Sequence, residues 1–166
     1  MKAEDFTLNN LYIKKAWNSL AKNIQNSTQR KKKSQDARKK QILIVDNEWN
    51  MLKLLYSLLS DKYNLVIKNS PIDALAWIEE GNSPSLVISE YRLPHLDKAS
   101  FIQLLKYSGF YNSTPIIILS ETKNLEQKVS LLPFKVNAIL QKPFNPSSLL
   151  TVIKSLLNES ELTIAS

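Results

Sequence analysis

The chain contains no cysteine. That excludes disulfides and cysteine-ligated metal, and it suits a reducing cytoplasm, where we expect the protein to reside. No apolar run approaches the ~18 residues that a membrane-spanning helix requires. The N-terminus lacks a continuous apolar stretch with a small-residue cleavage site, so it does not read as a secretory signal. No internal repeat is visible, and biased composition is confined to one basic tract. A single histidine, His95, follows Leu93 and Pro94 in a stretch that reads as a solvated loop.

What is present is a chain of 166 residues with 43% apolar side chains. That is enough for a packed core and too apolar for a disordered chain. Charge is unevenly placed. Residues 1–40 carry 11 Lys/Arg against Glu4, Asp5 and Asp36, a net of +8, whereas residues 41–166 carry a net of −1. So sharp a shift predicts three parts: residues 1–40 as an amphipathic helix and basic linker, 41–158 as a globular domain, and 159–166 as a tail.

Five short apolar runs recur in the second part: 41–46 (QILIVD), 64–68 (NLVIK), 85–89 (SLVIS), 115–119 (PIIIL) and 137–141 (NAILQ). They are near-continuous and mostly rich in Ile and Val, the pattern of strands buried on both faces of a parallel sheet. Helical patterns separate them. The first, 49–59, places Met51, Leu52, Leu54, Leu55, Leu58 and Leu59 on one stripe. Ser70 and Pro71 form a cap and first position for the second, and Gly81 stops it. The third covers 99–107 with Asp97 as its cap and Gly109 beyond. The fourth covers 122–132 and ends at Pro133. Asn145 and Pro146 open the fifth, which runs to about 158. Trp49 and Trp77 read as packing residues of the first two helices. The alternation predicts an α/β fold, a doubly wound flavodoxin-like sandwich with a five-stranded parallel sheet and right-handed crossovers.

In such a sheet, chemistry gathers at the carboxyl ends of the strands. Asp46, Asn47 and Glu48 end the first strand, Glu90 the third, Ser120 and Glu121 the fourth, and Lys142, Pro143 and Phe144 the fifth. Carboxylates, a hydroxyl and a lysine converging on one crevice suit a hard cation plus a phosphoryl group.

Four stretches, in order and at matching spacing, resemble the response-regulator receiver domain: 42–48 (ILIVDNE), 89–94 (SEYRLP), 115–120 (PIIILS) and 141–144 (QKPF). The resemblance covers 41 to about 158 and implies strand order 2-1-3-4-5. It implies that Asp46 is the first of an acidic pair, Ser120 the switch hydroxyl and Lys142 the site lysine, joined to Pro143 by a cis peptide. Three positions depart from the pattern. Asn47 stands where the second acid and main metal ligand belongs. Ile139 stands at the switch-aromatic position, and isoleucine has no large ring to swing inward. Glu90 stands where receivers carry the phosphoacceptor aspartate. Lys135 and Val136 also replace the usual Gly-Ala pair.

The extra methylene of Glu90 moves its carboxylate out by about 1.5 Å. In-line transfer loses on the order of a hundredfold in rate for a shift of roughly 1 Å. With Asn47 removing a metal-binding charge, we expect no resident cofactor. Any Mg²⁺ would bind weakly, with Asp46 and Glu90 as its carboxylates. Two roles for Glu90 stay open. It could reach Ser120 and Lys142 and partly imitate a phosphorylated aspartate, with −1 charge against about −2. Alternatively, it forms a static salt bridge with Lys142.

In the N-terminal part, Phe6, Ile13, Trp17, Leu20 and Ile24 fall at helical spacing, predicting an amphipathic helix over about 7–25. Phe6 and Trp17 could anchor a partner or a membrane, or fold back on the domain. Arg30, Lys31, Lys32, Lys33, Arg38, Lys39 and Lys40 form the basic tract. If all seven met phosphates, log K would fall with a slope of roughly −6 in log salt. No DNA-reading helix pair, zinc site or aromatic platform accompanies it. A protein partner ranks first, an anionic membrane surface second and nucleic acid third.

The leading expectation is therefore a phosphorylation-independent receiver, or pseudo-receiver. It is not an enzyme, takes no small-molecule substrate, and acts as a protein-interaction module in bacterial two-component signalling or a related assembly. Its partner face, also a candidate homodimer face, is the fourth helix, fifth strand and fifth helix (125–135 and 146–154), with the N-terminal helix as a second contact. Nothing of domain size follows 158, which predicts output through these surfaces. The alternatives are an active phosphoacceptor regulator served by a histidine kinase, and a nucleic-acid-binding adaptor working through the tract.

Overall fold

The computed structural model describes residues 39–94, 100–107 and 111–158. The N-terminal helix with Phe6 and Trp17, tract residues Arg30 to Arg38, His95, Asp97, Gly109 and the 159–166 tail lie outside the described residues. The chain divides into two units between Lys39 and Lys40.

The second unit alternates strand and helix. Its elements are β1 (Gln41–Val45), α1 (Trp49–Leu59), β2 (Asn64–Lys68), α2 (Pro71–Glu79), β3 (Leu86–Ser89), α3 (Ser100–Tyr107), β4 (Ile116–Ser120), α4 (Leu125–Ser130), β5 (Ala138–Gln141) and α5 (Pro146–Leu156). All neighbouring strands are parallel, in the order β2-β1-β3-β4-β5. This is the flavodoxin-like sandwich.

Side chains alternate across a strand, so each central strand feeds two cores. Ile42 and Ile44 of β1 pack with Leu52, Leu55 and Leu59 of α1 and with Leu149 and Ile153 of α5. Leu43 and Val45 face the other way, toward Ala74 and Ile78 of α2, Phe101, Ile102 and Leu105 of α3, and Leu125 and Val129 of α4. Each fully buried Ile or Leu contributes roughly 1.5–3 kcal/mol over an exposed one. Burial on both faces holds for β3 and β4 throughout and for β1 beyond Gln41. It does not hold for β2 and β5, whose residues are half-buried apart from the exposed Gln141. Those two are the sheet edges, and an edge strand has a neighbour on one side only.

The helix ends follow local chemistry. Ser70 Oγ accepts from Ile72 N–H at 3.2 Å with Pro71 in the first turn. Asn145 Oδ1 accepts from Ser147 N–H at 2.8 Å, again followed by proline. Gly81 turns the chain out of α2 at φ +88°, a left-handed value that costs glycine little.

Three further expectations need correction. Trp49 is not a packing residue, since it is 60% exposed, and Leu54 of the expected apolar stripe is 46% exposed. The fourth helix is shorter than 122–132, spanning only Leu125–Ser130. Its start is delayed because Thr122 is buried beneath the strand ends and Asn124 takes a left-handed conformation at φ 54°.

Candidate functional site

Strand register brings the charged residues together. Val45 lies opposite Ser89, so the next residues, Asp46 and Glu90, emerge side by side from β1 and β3. Ser120 pairs with Gln141, and the ladder continues one step further, with Lys142 N–H donating to Ser120 O at 2.9 Å. Glu90 N–H donates to Val45 O at 2.9 Å. The backbone therefore fixes all four positions before any side chain is considered. The peptide from Lys142 to Pro143 is cis.

Lys142 is the hub. Its ammonium donates to Asp46 Oδ2 at 2.7 Å and to Glu90 Oε2 at 2.9 Å, and all three side chains are buried. The other Glu90 oxygen is equally engaged. Oε1 accepts from Tyr91 N–H at 2.8 Å, from Arg92 N–H at 3.1 Å and from the Ser120 hydroxyl. Asp46 Oδ1 accepts from Glu48 N–H at 2.9 Å. No buried side-chain polar atom among the described residues lacks a partner.

Burial pushes the Asp46 carboxyl up, and its bonds to Lys142 and to the Glu48 backbone only partly offset that rise. Burial alone would lower the Lys142 ammonium. Its bonds and charge attraction to Asp46 and Glu90 outweigh that and hold it above the ordinary lysine value.

Above this buried layer lies an open cleft of about 530 Å³, lined by Asn47, Glu48, Glu90, Arg92, Ser120, Glu121, Thr122, Lys123 and Lys128. Glu90 and Ser120 reach it, whereas Asp46 and Lys142 sit beneath. Asn47 is exposed at the rim. Among the described residues, no group of three or more His, Cys, Asp or Glu side chains is placed to hold a metal ion. Magnesium demands near-octahedral oxygens. Here every Asp46 and Glu90 oxygen already accepts a hydrogen bond and Asn47 adds no charge, so a Mg²⁺ ion held by these residues would compete with Lys142 for the two carboxylates.

Ile139 lies in β5 opposite Ile118, half-buried against the core under α4. Of the basic tract, Lys39 and Lys40 are described, and Lys40 does not line the cleft. Lys40 Nζ instead donates to Leu157 O at 3.4 Å. The sequence reading missed Thr122. Its Oγ1 lies 3.0 Å from Ser120 Oγ, and its N–H donates to Ser120 Oγ at 3.2 Å. The sequence carries a signal for it, a second hydroxyl two residues after the first, but the helical pattern expected over 122–132 masks it. Arg92, Lys123 and Lys128 at the rim were missed as well.

An open parallel sheet of order 2-1-3-4-5, with acids, a hydroxyl and a lysine gathered at its carboxyl edge, defines the receiver class of signalling domains. Comparison with known proteins makes the assignment specific. The model of the response regulator receiver domain matches residues 42–154, and the chain belongs to that family. It is similar to the transcriptional regulatory protein FlgR of Helicobacter pylori, 35% identical over 114 residues, covering 68% of this chain and 28% of that protein. It is also similar to the response regulator Rre1 of Synechocystis, 26% identical over 117 residues, covering 70% of this chain and 51% of that protein. Among solved structures, the signal receiver domain of an HD domain-containing protein from Pseudomonas fluorescens matches with a TM-score of 0.64 at 28% identity. That match covers 73% of this chain and 96% of the solved one. The chain thus spans about half or less of the two curated relatives. It carries a two-component receiver domain, a signalling module that works through protein partners. No helix among the described residues is long and apolar enough to cross a membrane.

Proposed function

We propose that this receiver signals without accepting a phosphoryl group, as a protein-interaction module held in one state by Glu90. The observation that carries the reading is the engagement of both Glu90 oxygens: Oε1 with the Ser120 hydroxyl and two backbone N–H groups, Oε2 with Lys142. A nucleophilic carboxylate needs a free lone pair aligned with the donor; three donors crowd Oε1, and Lys142 holds Oε2 toward the buried layer. The same contacts favour partial imitation of the phosphorylated state over a static bridge alone, because Ser120 is drawn in as well as Lys142. The cleft depends on no resident cofactor and holds Mg²⁺ poorly, with Lys142 supplying the positive charge beneath it.

The partner surface is the α4–β5–α5 face. Leu131 is 80% exposed there, beside half-buried Leu132, Phe134 and Val136, so apolar surface is available to a protein partner or a second copy. The basic tract adds a contact to an acidic partner, and the module works in the cytoplasm as a non-enzymatic component.

The test is incubation with acetyl phosphate, or with beryllofluoride plus Mg²⁺, followed by intact mass and by spectroscopy of the cleft. No adduct is expected. A stoichiometric adduct on Glu90 sinks the proposal and makes the chain an active phosphoacceptor. Two substitutions extend the test. Glu90→Gln keeps the fold but changes partner affinity, and unchanged affinity leaves Glu90 only a static role. Glu90→Asp is expected to label poorly because Asn47 remains.

A further inference from the structure

A second cleft, of about 390 Å³, lies beyond the carboxyl end of edge strand β2, away from the Glu90 site. It is lined by Trp49 of α1, by Ile67, Lys68 and Asn69, and by Asp73, Ala76, Trp77 and Glu80 on or just after α2. The last four fall at i, i+3, i+4 and i+7, a single stripe of one helix. That stripe places a carboxylate at each end, with an indole and a small residue between them. Trp49 faces it from α1 with 60% of its surface exposed, and Ile67 lies at the sheet edge, where no further strand among the described residues covers it.

Two features go against the stability of the domain alone. A tryptophan left 60% exposed forgoes most of its burial energy. Glu79 and Glu80 stand at the C-terminal end of α2, where the helix dipole is already negative and no basic residue shares the last turn. The lining thus sets two carboxylates and one lysine beside two indoles. Lys68 offsets one of the two lining carboxylates, leaving the charged lining at −1. A planar cation suits this surface. It can lie flat on an indole face while its edge donates to a carboxylate. Arginine does both, whereas the compact lysine ammonium lacks the planar fork.

We propose that this cleft binds an arginine side chain presented by a partner protein, with Trp49 and Trp77 as the stacking surface and Asp73 and Glu80 as the acceptors. Charge complementarity selects the occupant. Trp77 is half-buried against the core while lining the cleft, and Asn82 Nδ2 donates to its backbone carbonyl at 2.7 Å and to Glu80 Oε2 at 3.4 Å.

The full chain would be titrated with N-acetyl-arginine amide while the indole N–H resonances of Trp49 and Trp77 are followed. Trp49→Phe and Trp77→Phe assign the two signals. A single side chain binds weakly, so the titration extends to concentrations on the order of 10 mM. Saturable shifts of both indoles are expected. The neutral citrulline counterpart and the lysine counterpart should each bind about fivefold more weakly, and Asp73→Asn combined with Glu80→Gln should weaken the arginine probe by a similar factor. Both substituted residues are exposed, so the fold should persist. Equal response to citrulline or to lysine overturns the assignment. So does an unchanged affinity in the double variant, or the absence of any shift at the two indoles.

Discussion

Replacing Lys142 by methionine tests the buried hub directly. The ammonium is within 2.9 Å of two carboxylates and holds the only positive charge among the three. Removing one partner of a buried ion pair costs about 3–5 kcal/mol, because the remaining charge is left without compensation. That is a large part of the roughly 5–15 kcal/mol that holds a domain folded. With a urea slope of about 2 kcal/mol per molar, the unfolding midpoint should drop by about 2 M near pH 8. The loss should shrink as pH falls. Burial and the Glu90 charge already push Asp46 upward, and the variant loses the Lys142 bond and charge that oppose them. Below its raised folded value, Asp46 carries a proton in the native state that the unfolded chain has already released. The variant's stability therefore falls as pH rises through that window. Each unit by which the value rises is worth about 1.4 kcal/mol, so the deficit near pH 5 should be visibly smaller than near pH 8. Combining Lys142→Met with Glu90→Gln removes one excess charge and should recover about half the loss, as coupled neighbours do. A midpoint shift under about 0.5 M that is identical at both pH values would refute the reasoning. A double variant no better than the single one would refute it as well.

Two further outcomes concern the frame. Asn145→Ala removes the acceptor for Ser147 N–H and should destabilise the domain by about 1 kcal/mol in urea titration. Gly81→Ala meets no neighbouring atom within 4 Å, but it must hold φ +88°. It should cost about 1–2 kcal/mol from backbone strain alone, and Gly81→Asn about half of that.

The sheet was legible because its signals are redundant. Continuous Ile and Val runs marked the strands, and Ser70, Gly81 and Asn145 marked helix ends by chemistry that needs no tertiary context. The meeting of Asp46, Glu90, Ser120 and Lys142 followed once strand order was known, since all four end strands on the same edge. What could not be read was depth. Trp49 and Leu54 fit an apolar pattern, yet which side of α1 faces the sheet depends on packing against α5. The helix expected from residue 122 starts later because Thr122 is drawn down to Ser120, and the backbone of Tyr91 and Arg92 turns to meet Glu90. Those last two contacts are made by N–H groups, which every non-proline residue possesses and no sequence pattern advertises.

Ser120 and Lys142 do not wait for a visiting group, because Glu90 supplies theirs from within the chain. On the proposed reading, a conventional relay reports what fraction of its molecules has been modified, and that fraction is set by the balance of two opposing catalysts. A domain that carries its own acid in the crevice has no such fraction to report. The quantity its partners can sense is how many copies exist and how long each lasts, so control moves from the chemistry of the crevice to synthesis and turnover.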